Sequence, residues 1–200
     1  MSTVIPSGNN GIPSNWTVIS PNEPLKFTAT GNSTLGITNN EGNTPNLEYS
    51  TDGANWVEWD YSTLSINDGE SVYLRGNNPN GFSLGVSKWS HFEMSGSLAC
   101  EGNVMSLIGS ETAPEIPCVA CFAGMFYGCT SLTSAPELPA TTLAKECYAH
   151  MFYGCTSLTT APELPATRLV DSCYYEMFFN CASLNNITML ATDISPDECL

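Results

Sequence analysis

A gapless 26-residue period across residues 121–200 constrains the fold of this chain more than any other feature. CFAGMFYGCTSLTSAPELPATTLAKE, CYAHMFYGCTSLTTAPELPATRLVDS and CYYEMFFNCASLNNITMLATDISPDE start at Cys121, Cys147 and Cys173, and a fourth unit starts at Cys199. Cys129, Cys155 and Cys181 repeat with the same step. A unit this short cannot bury its own apolar face, so units must stack into one continuous core. Leu143, Cys147, Tyr148, Met151 and Phe152 lie at helical spacing. Thr141 or Thr142 would cap the start of that helix, and Gly128, Gly154 and Asn180 would end each helix in the left-handed conformation. Leu132, Ala135 and Leu138, with Leu158, Ala161, Leu164 and Leu184, Ile187, Leu190 in the later units, suit a buried parallel strand that Pro136 and Pro162 terminate. The expected outcome is a short leucine-rich-repeat α/β solenoid, strands on one face and helices on the other, with its open front packed on the preceding module.

The preceding module reads as β. LKFTAT, NLEYS, NWVEWDYS and SVYLRGN are short runs rich in aromatic and β-branched residues. Asp52-Gly53 marks a hairpin and Asn67-Asp68-Gly69 a further turn. A small antiparallel β-sandwich is expected over 23–98, followed by repeats over 99–200; residues 1–22 read as a linker or the closing segment of a preceding module. The run STDGANW resembles the Asp-box hairpin of sialidases, a structural turn that gives no reason to expect glycosidase activity.

Charge narrows the partners. With 20 acidic against 5 basic residues the net charge is −15, which leaves no basic cluster to neutralise phosphates or dock on anionic lipid. The longest nearly apolar run, Cys118 to Tyr127, is too short to span a membrane. The start, MSTVIPSGNNG, lacks the basic and apolar regions of a secretory signal, so an extracellular role is expected of a fragment or a phage-encoded chain. Chemistry is sparse. His91 has no partner motif, and His150 shares a variable, solvent-facing repeat slot with Gly124 and Glu176. No catalytic residue, metal site or cofactor is expected. Glu137 and Glu163 recur because the repeat recurs, and form at most an acidic strip. The single CxxC, Cys118 to Cys121, lacks a second ligand pair for zinc; the lattice cysteines read as small buried hydrophobes. Cys100 and Cys118 stand off the lattice at the module junction. A disulfide between them is expected, contributing about 3 kcal/mol, with two free thiols as the alternative.

The pattern CTSLTxAPELPATxL followed by CYxxMFxGC resembles the BspA-like leucine-rich repeat family of Bacteroides-type bacteria, over about residues 118–200. GIPSNWTV, Gly11 to Val18, resembles the segment that closes the repeats in such proteins, here placed before them. The resemblance implies cell-surface attachment and host or matrix binding, and similar modules occur in phage proteins of such bacteria. The expected function is therefore non-enzymatic adhesion or recognition of a host, matrix or cell-surface protein or glycan. The alternatives are a structural spacer or phage tail or head appendage, and a carbohydrate-binding module of a glycan-degrading system. Candidate binding positions are those that differ between units: Ser134, Thr160 and Asn186 on the strand side, His150 and Glu176 on the helix side, with Lys145, Arg168 and Asp171 nearby. Trp56, Trp59 and Tyr61 form a second candidate, for stacking on sugar rings, with one of their faces expected to be core. Trp89 has no readable partner.

Overall fold

The computed structural model describes residues 23–39, 43–109 and 114–200. The expected linker, with the GIPSNWTV segment, lies outside them. Among the described residues nine strands form: β1 (Leu25–Ala29), β2 (Ser33–Thr38), β3 (Leu47–Ser50), β4 (Val57–Glu58), β5 (Leu64–Ile66), β6 (Ser71–Gly76), β7 (His91–Ser95), β8 (Leu98–Glu101) and β9 (Leu132–Ser134). They make a six-stranded sheet, β4-β3-β6-β1-β8-β9, and a three-stranded sheet, β5-β2-β7. The alternation of LKFTA buries Leu25, Phe27 and Ala29 on one face of β1. Phe27 meets Phe92 of β7 edge-on at 5.3 Å, so the two sheets share a core. Asp52-Gly53 does turn β3 into β4, but through a longer loop than a two-residue hairpin. Asp52 holds that loop, accepting from Ala54 N, Asn55 N and Ser50 Oγ at Oδ1 and from Asn55 Nδ2 at Oδ2.

The repeats are not an α/β solenoid. Among the described residues the one helical element is a single 3-10 turn, Val104–Leu107, ahead of the 26-residue units that begin at Cys121. Where the apolar stripes led to an expectation of helix, residues 119–128, 145–154 and 171–180 are chains of tight turns. Every fourth residue has positive φ: Ala120, Gly124, Gly128; Glu146, His150, Gly154; Ser172, Glu176, Asn180. An α-helix cannot pass through residues in that conformation. The backbone hydrogen bonds show what replaces it. Alternate N–H groups close turns within the unit, as from Met125 to the carbonyl of Phe122 and from Tyr127 to that of Gly124. The intervening N–H groups point to the next unit: Phe122 to Cys147 O (2.9 Å), Gly124 to Ala149 O (2.9 Å), Phe126 to Met151 O (2.9 Å) and Gly128 to Tyr153 O (2.8 Å). The same ladder joins Tyr148, His150, Phe152 and Gly154 to the carbonyls of Cys173, Tyr175, Met177 and Phe179. In the turn segments of the first two units, these backbone donors are thus satisfied without helix, half locally and half between units.

The likeness of these turns to a helix has a clear origin. Cys147, Met151 and Cys155 recur every four residues, as do Tyr148 and Phe152; a four-residue turn repeat and a 3.6-residue helix place apolar side chains almost alike over two turns. The strand side is also shorter than expected. β9 pairs parallel with β8 and stops two residues before Pro136. In the later units only an isolated parallel bridge, Leu164 to Met189, remains.

Between units, identical slots stack their rings. Phe122, Tyr148 and Tyr174 form one column, with centroids 5.8 and 5.9 Å apart. Phe126, Phe152 and Phe178 form a second, 5.3 and 5.6 Å apart with nearly parallel planes. The lattice thiols join the ladder rather than pairing with each other. Cys129, Cys155 and Cys181 donate to the carbonyls of Phe92, Phe126 and Phe152 at 3.0, 3.1 and 3.0 Å. The front of the first repeat is closed by the N-terminal sheets: Cys121 O accepts from Ser83 N, Met125 O from Phe92 N and Ala123 O from Ser83 Oγ.

Candidate recognition surface

Most side chains of the turn segments are buried, but the residue after the second core ring of each unit reaches the outside. Tyr127, Tyr153 and Phe179 follow Phe126, Phe152 and Phe178 in the three units, and stack at 4.8 and 5.1 Å. Tyr127 is 36% and Phe179 50% exposed, so this row reaches solvent. Trp89 extends it at the other end, stacked on Tyr127 at 5.3 Å. Trp89 comes from the loop between β6 and β7, and that loop is tied down on both sides of it. Asn43 Nδ2 donates to Phe82 O and Ser90 Oγ at 2.8 and 3.1 Å, and Ser83 is bonded to the first repeat. The indole lies flat over Gly124, where an added Cβ would sit 2.5 Å from Cγ and Cδ2. Only glycine in this slot admits the ring.

His150 sits among these rings. It lies 5.4 Å from Trp89, 6.0 Å from Tyr153 and 5.2 Å from Tyr175, and its Nε2 is 3.4 Å from the Glu176 carboxylate. The slot read as solvent-facing is therefore packed: glycine under Trp89 in one unit, an imidazole in the next, its carboxylate partner in the third. The side chain of His150 is only 17% exposed. His150 and Glu176 are brought together, and with them Trp89, Tyr127, Tyr153, Tyr175 and Phe179, none of which the sequence singled out as a surface. Their signal was available: an aromatic recurring every 26 residues beside another aromatic that must be core.

The strand-side candidates fare differently. Ser134 lies on β9 and its hydroxyl donates to Cys100 O at 3.0 Å, so it ties the repeats to the sheet. Thr160 and Asn186 are exposed. Of the sugar-stacking trio, Trp59 is 2% exposed, and its Nε1 donates to Ser62 O at 2.8 Å. Tyr61 donates its hydroxyl to Pro45 O and packs 5.9 Å from Trp59. Trp56 is half-buried, with the Arg75 guanidinium 4.2 Å from its ring centre, and Arg75 in turn pairs with Glu48. The three do not present a common face.

The disulfide expected between Cys100 and Cys118 is not formed; both are free thiols. Cys100 is buried in the sheet, where desolvation raises its pKa strongly. Cys118 instead faces Cys121, whose thiol bonds to it and holds its pKa below the usual value. Glu137 and Glu163 do lie near one another. Burial raises Glu137 to about 7, with further contributions from Glu23 and Glu163. No group of three or more metal-ligating side chains occurs among the described residues. Lys145, Leu169, Val170, Asp171, Ser195 and Pro196 line a shallow depression of about 500 Å³. No protein-family model, no curated protein and no solved structure matches the chain.

Proposed function

We propose that this protein is a non-enzymatic recognition module whose binding surface is the row Trp89–Tyr127–Tyr153–Phe179, flanked by Tyr175 and the His150–Glu176 pair. The observation that carries the reading is the exposure of a repeat-registered aromatic row on a scaffold whose backbone is hydrogen-bonded from unit to unit. Tyrosines held in fixed rotamers offer contact area and a polar tip at little entropic cost, the composition of protein-binding surfaces. The inner rings cover each other's faces, so Tyr127 and Tyr153 present edges and hydroxyls. That arrangement favours a polypeptide ligand over stacking on sugar rings, and an extracellular ligand is the reading that the repeat's resemblance to BspA-like surface proteins would suit. A spacer role is the second reading, favoured by the near identity of the first two units.

A binding screen of the full chain against extracellular-matrix proteins and glycans tests this. A saturable protein ligand lost in Tyr153→Ala, with Trp56→Ala unaffected, is the expected result. A folded chain with no saturable ligand would replace the recognition reading with the spacer.

A further inference from the structure

The slot three residues before the first lattice cysteine of each unit is apolar in the later units and a thiol in the first. It holds Ala144, Val170 and Pro196 ahead of Cys147, Cys173 and Cys199, but Cys118 ahead of Cys121. In the later units this stretch is a turn, closed by Cys147 N to Ala144 O at 3.3 Å and Cys173 N to Val170 O at 3.2 Å. In the first unit residues 119 and 120 turn in the same way, with Ala120 at a φ of 53°. A β-turn brings the Cα atoms of its ends within about 7 Å, the range that a disulfide bridges. The two thiols meet across this turn. Cys147 and Cys173 donate to the carbonyls of Cys173 and Cys199 at 3.9 and 3.6 Å, whereas Cys121 donates to the Cys118 sulfur. Gly81 packs over the pair: an added Cβ there would stand 3.0 Å from Cys118 Sγ and 3.2 Å from Cys121 Cα. One sulfur is reachable and the other is not. Cys118 is partly exposed between the exposed Pro117 and Val119, and Cys121 is fully buried.

We propose that Cys118 and Cys121 are a thiol–disulfide exchange site, which a low-molecular-weight disulfide converts to an intramolecular bond. In the first step the Cys118 thiolate attacks one sulfur of the incoming disulfide. That S–S bond breaks, and one half leaves as a thiolate and takes up the proton that Cys118 lost. In the second step Cys121 loses its proton and attacks Cys118 Sγ, and the other half leaves and is protonated. Two electrons pass from the protein's thiols to the disulfide, which is reduced to two thiols. The surroundings fix the two roles. The hydrogen bond from Cys121 holds the Cys118 thiol below its usual pKa and raises that of Cys121, so Cys118 is the attacking sulfur. The Phe82 N–H is directed at the Cys121 sulfur and supports the thiolate of the second step. Cys129 and Cys155 are buried, with raised pKa values, and donate to backbone carbonyls at 3.0 and 3.1 Å, so they stay reduced. The site uses no residue of the aromatic row, so neither reading depends on the other.

Oxidised glutathione is the probe. The full, reduced chain is incubated with it at neutral pH, its remaining thiols are trapped with N-ethylmaleimide, and it is digested with chymotrypsin without reduction. The peptide Ile108–Phe122 carries Cys118 and Cys121 and no other cysteine. Mass spectrometry is expected to find it unalkylated and lighter by two hydrogens, formed at a rate about tenfold or more above that of any change at Cys129 or Cys155. Dithiothreitol is expected to restore the dithiol. Cys118→Ala, which installs the residue of the second unit, is expected to leave Cys121 reduced. Cys121→Ala is expected to stop at the mixed disulfide, with glutathione on Cys118. The result in the unaltered chain decides, whether or not either variant folds. Recovery of Ile108–Phe122 with both cysteines alkylated after prolonged exposure would overturn the proposal. So would glutathione on Cys118 as the end product, a bond from Cys118 to Cys100, or oxidation of Cys155 at the same rate.

Discussion

Gly124 and Gly128 offer a matched pair that isolates how the N-terminal sheets grip the repeats. Both are in the left-handed conformation, with φ of +64° and +70°. A side chain there costs about 1–2 kcal/mol of backbone strain, offset by about 0.4–1 kcal/mol from the stiffer unfolded chain. Gly128→Ala meets nothing within 4 Å and is expected to cost about 1 kcal/mol. Gly124→Ala carries the same backbone term, but its Cβ would stand 2.5 Å from the Trp89 indole. The ring must move, adding about 1–3 kcal/mol of overpacking and forfeiting the stack on Tyr127, about 0.5–1.5 kcal/mol. The expected total is about 3 kcal/mol, roughly 2 more than its twin. Urea unfolding with linear extrapolation measures both. In a Trp89→Ala background the two glycine substitutions should cost the same, giving a coupling of about 2 kcal/mol between Gly124 and Trp89. A Gly124→Ala variant within about 0.5 kcal/mol of Gly128→Ala would refute the docking of Trp89 on the first repeat.

Three further outcomes follow from buried groups. Glu137 holds its proton more tightly in the folded chain than in the unfolded one, so its contribution is full below the ordinary glutamate range and is lost as pH rises through about 7. Thermal stability measured from pH 5 to 8 should decline, and Glu137→Gln should flatten the decline. Alkylation of the native chain should label Cys118 first, because it is partly exposed with a lowered pKa, whereas burial raises Cys129 and Cys155; peptide mapping that finds Cys155 reacting as fast would contradict the packing. The hydroxyl of Tyr148 is buried without a hydrogen-bond partner, and Phe122 fills the same slot one unit earlier. Tyr148→Phe should therefore be neutral or stabilising by about 1 kcal/mol, and a loss of that size in denaturant melts would count against the column.

The repeat's period was legible and its conformation was not. The left-handed residues at Gly128, Gly154 and Asn180 were identified from residue type, and their φ values are positive. Their counterparts Ala120, Glu146 and Ser172 were invisible, because no residue preference marks an alanine or glutamate for that conformation. Trp89 illustrates the same limit. Nothing near it in sequence names Gly124 as its seat, since the contact joins a loop between strands to a repeat unit. The trio Trp56, Trp59 and Tyr61 drew notice for its composition, yet a short strand and one buried indole separate its members in space.

By itself the sequence determined the period, the need to stack, the β character of the module over 23–98 and the lack of a basic cluster. Those properties reside in composition and spacing, which no tertiary contact alters. Whether the stacked segment coils as a helix or as four-residue turns was decided only by the tertiary structure. The two conformations place apolar side chains alike, and they differ in where alternate N–H groups find acceptors. A carbonyl 25 residues further on can be chosen over one four residues back only when the next unit is already in place.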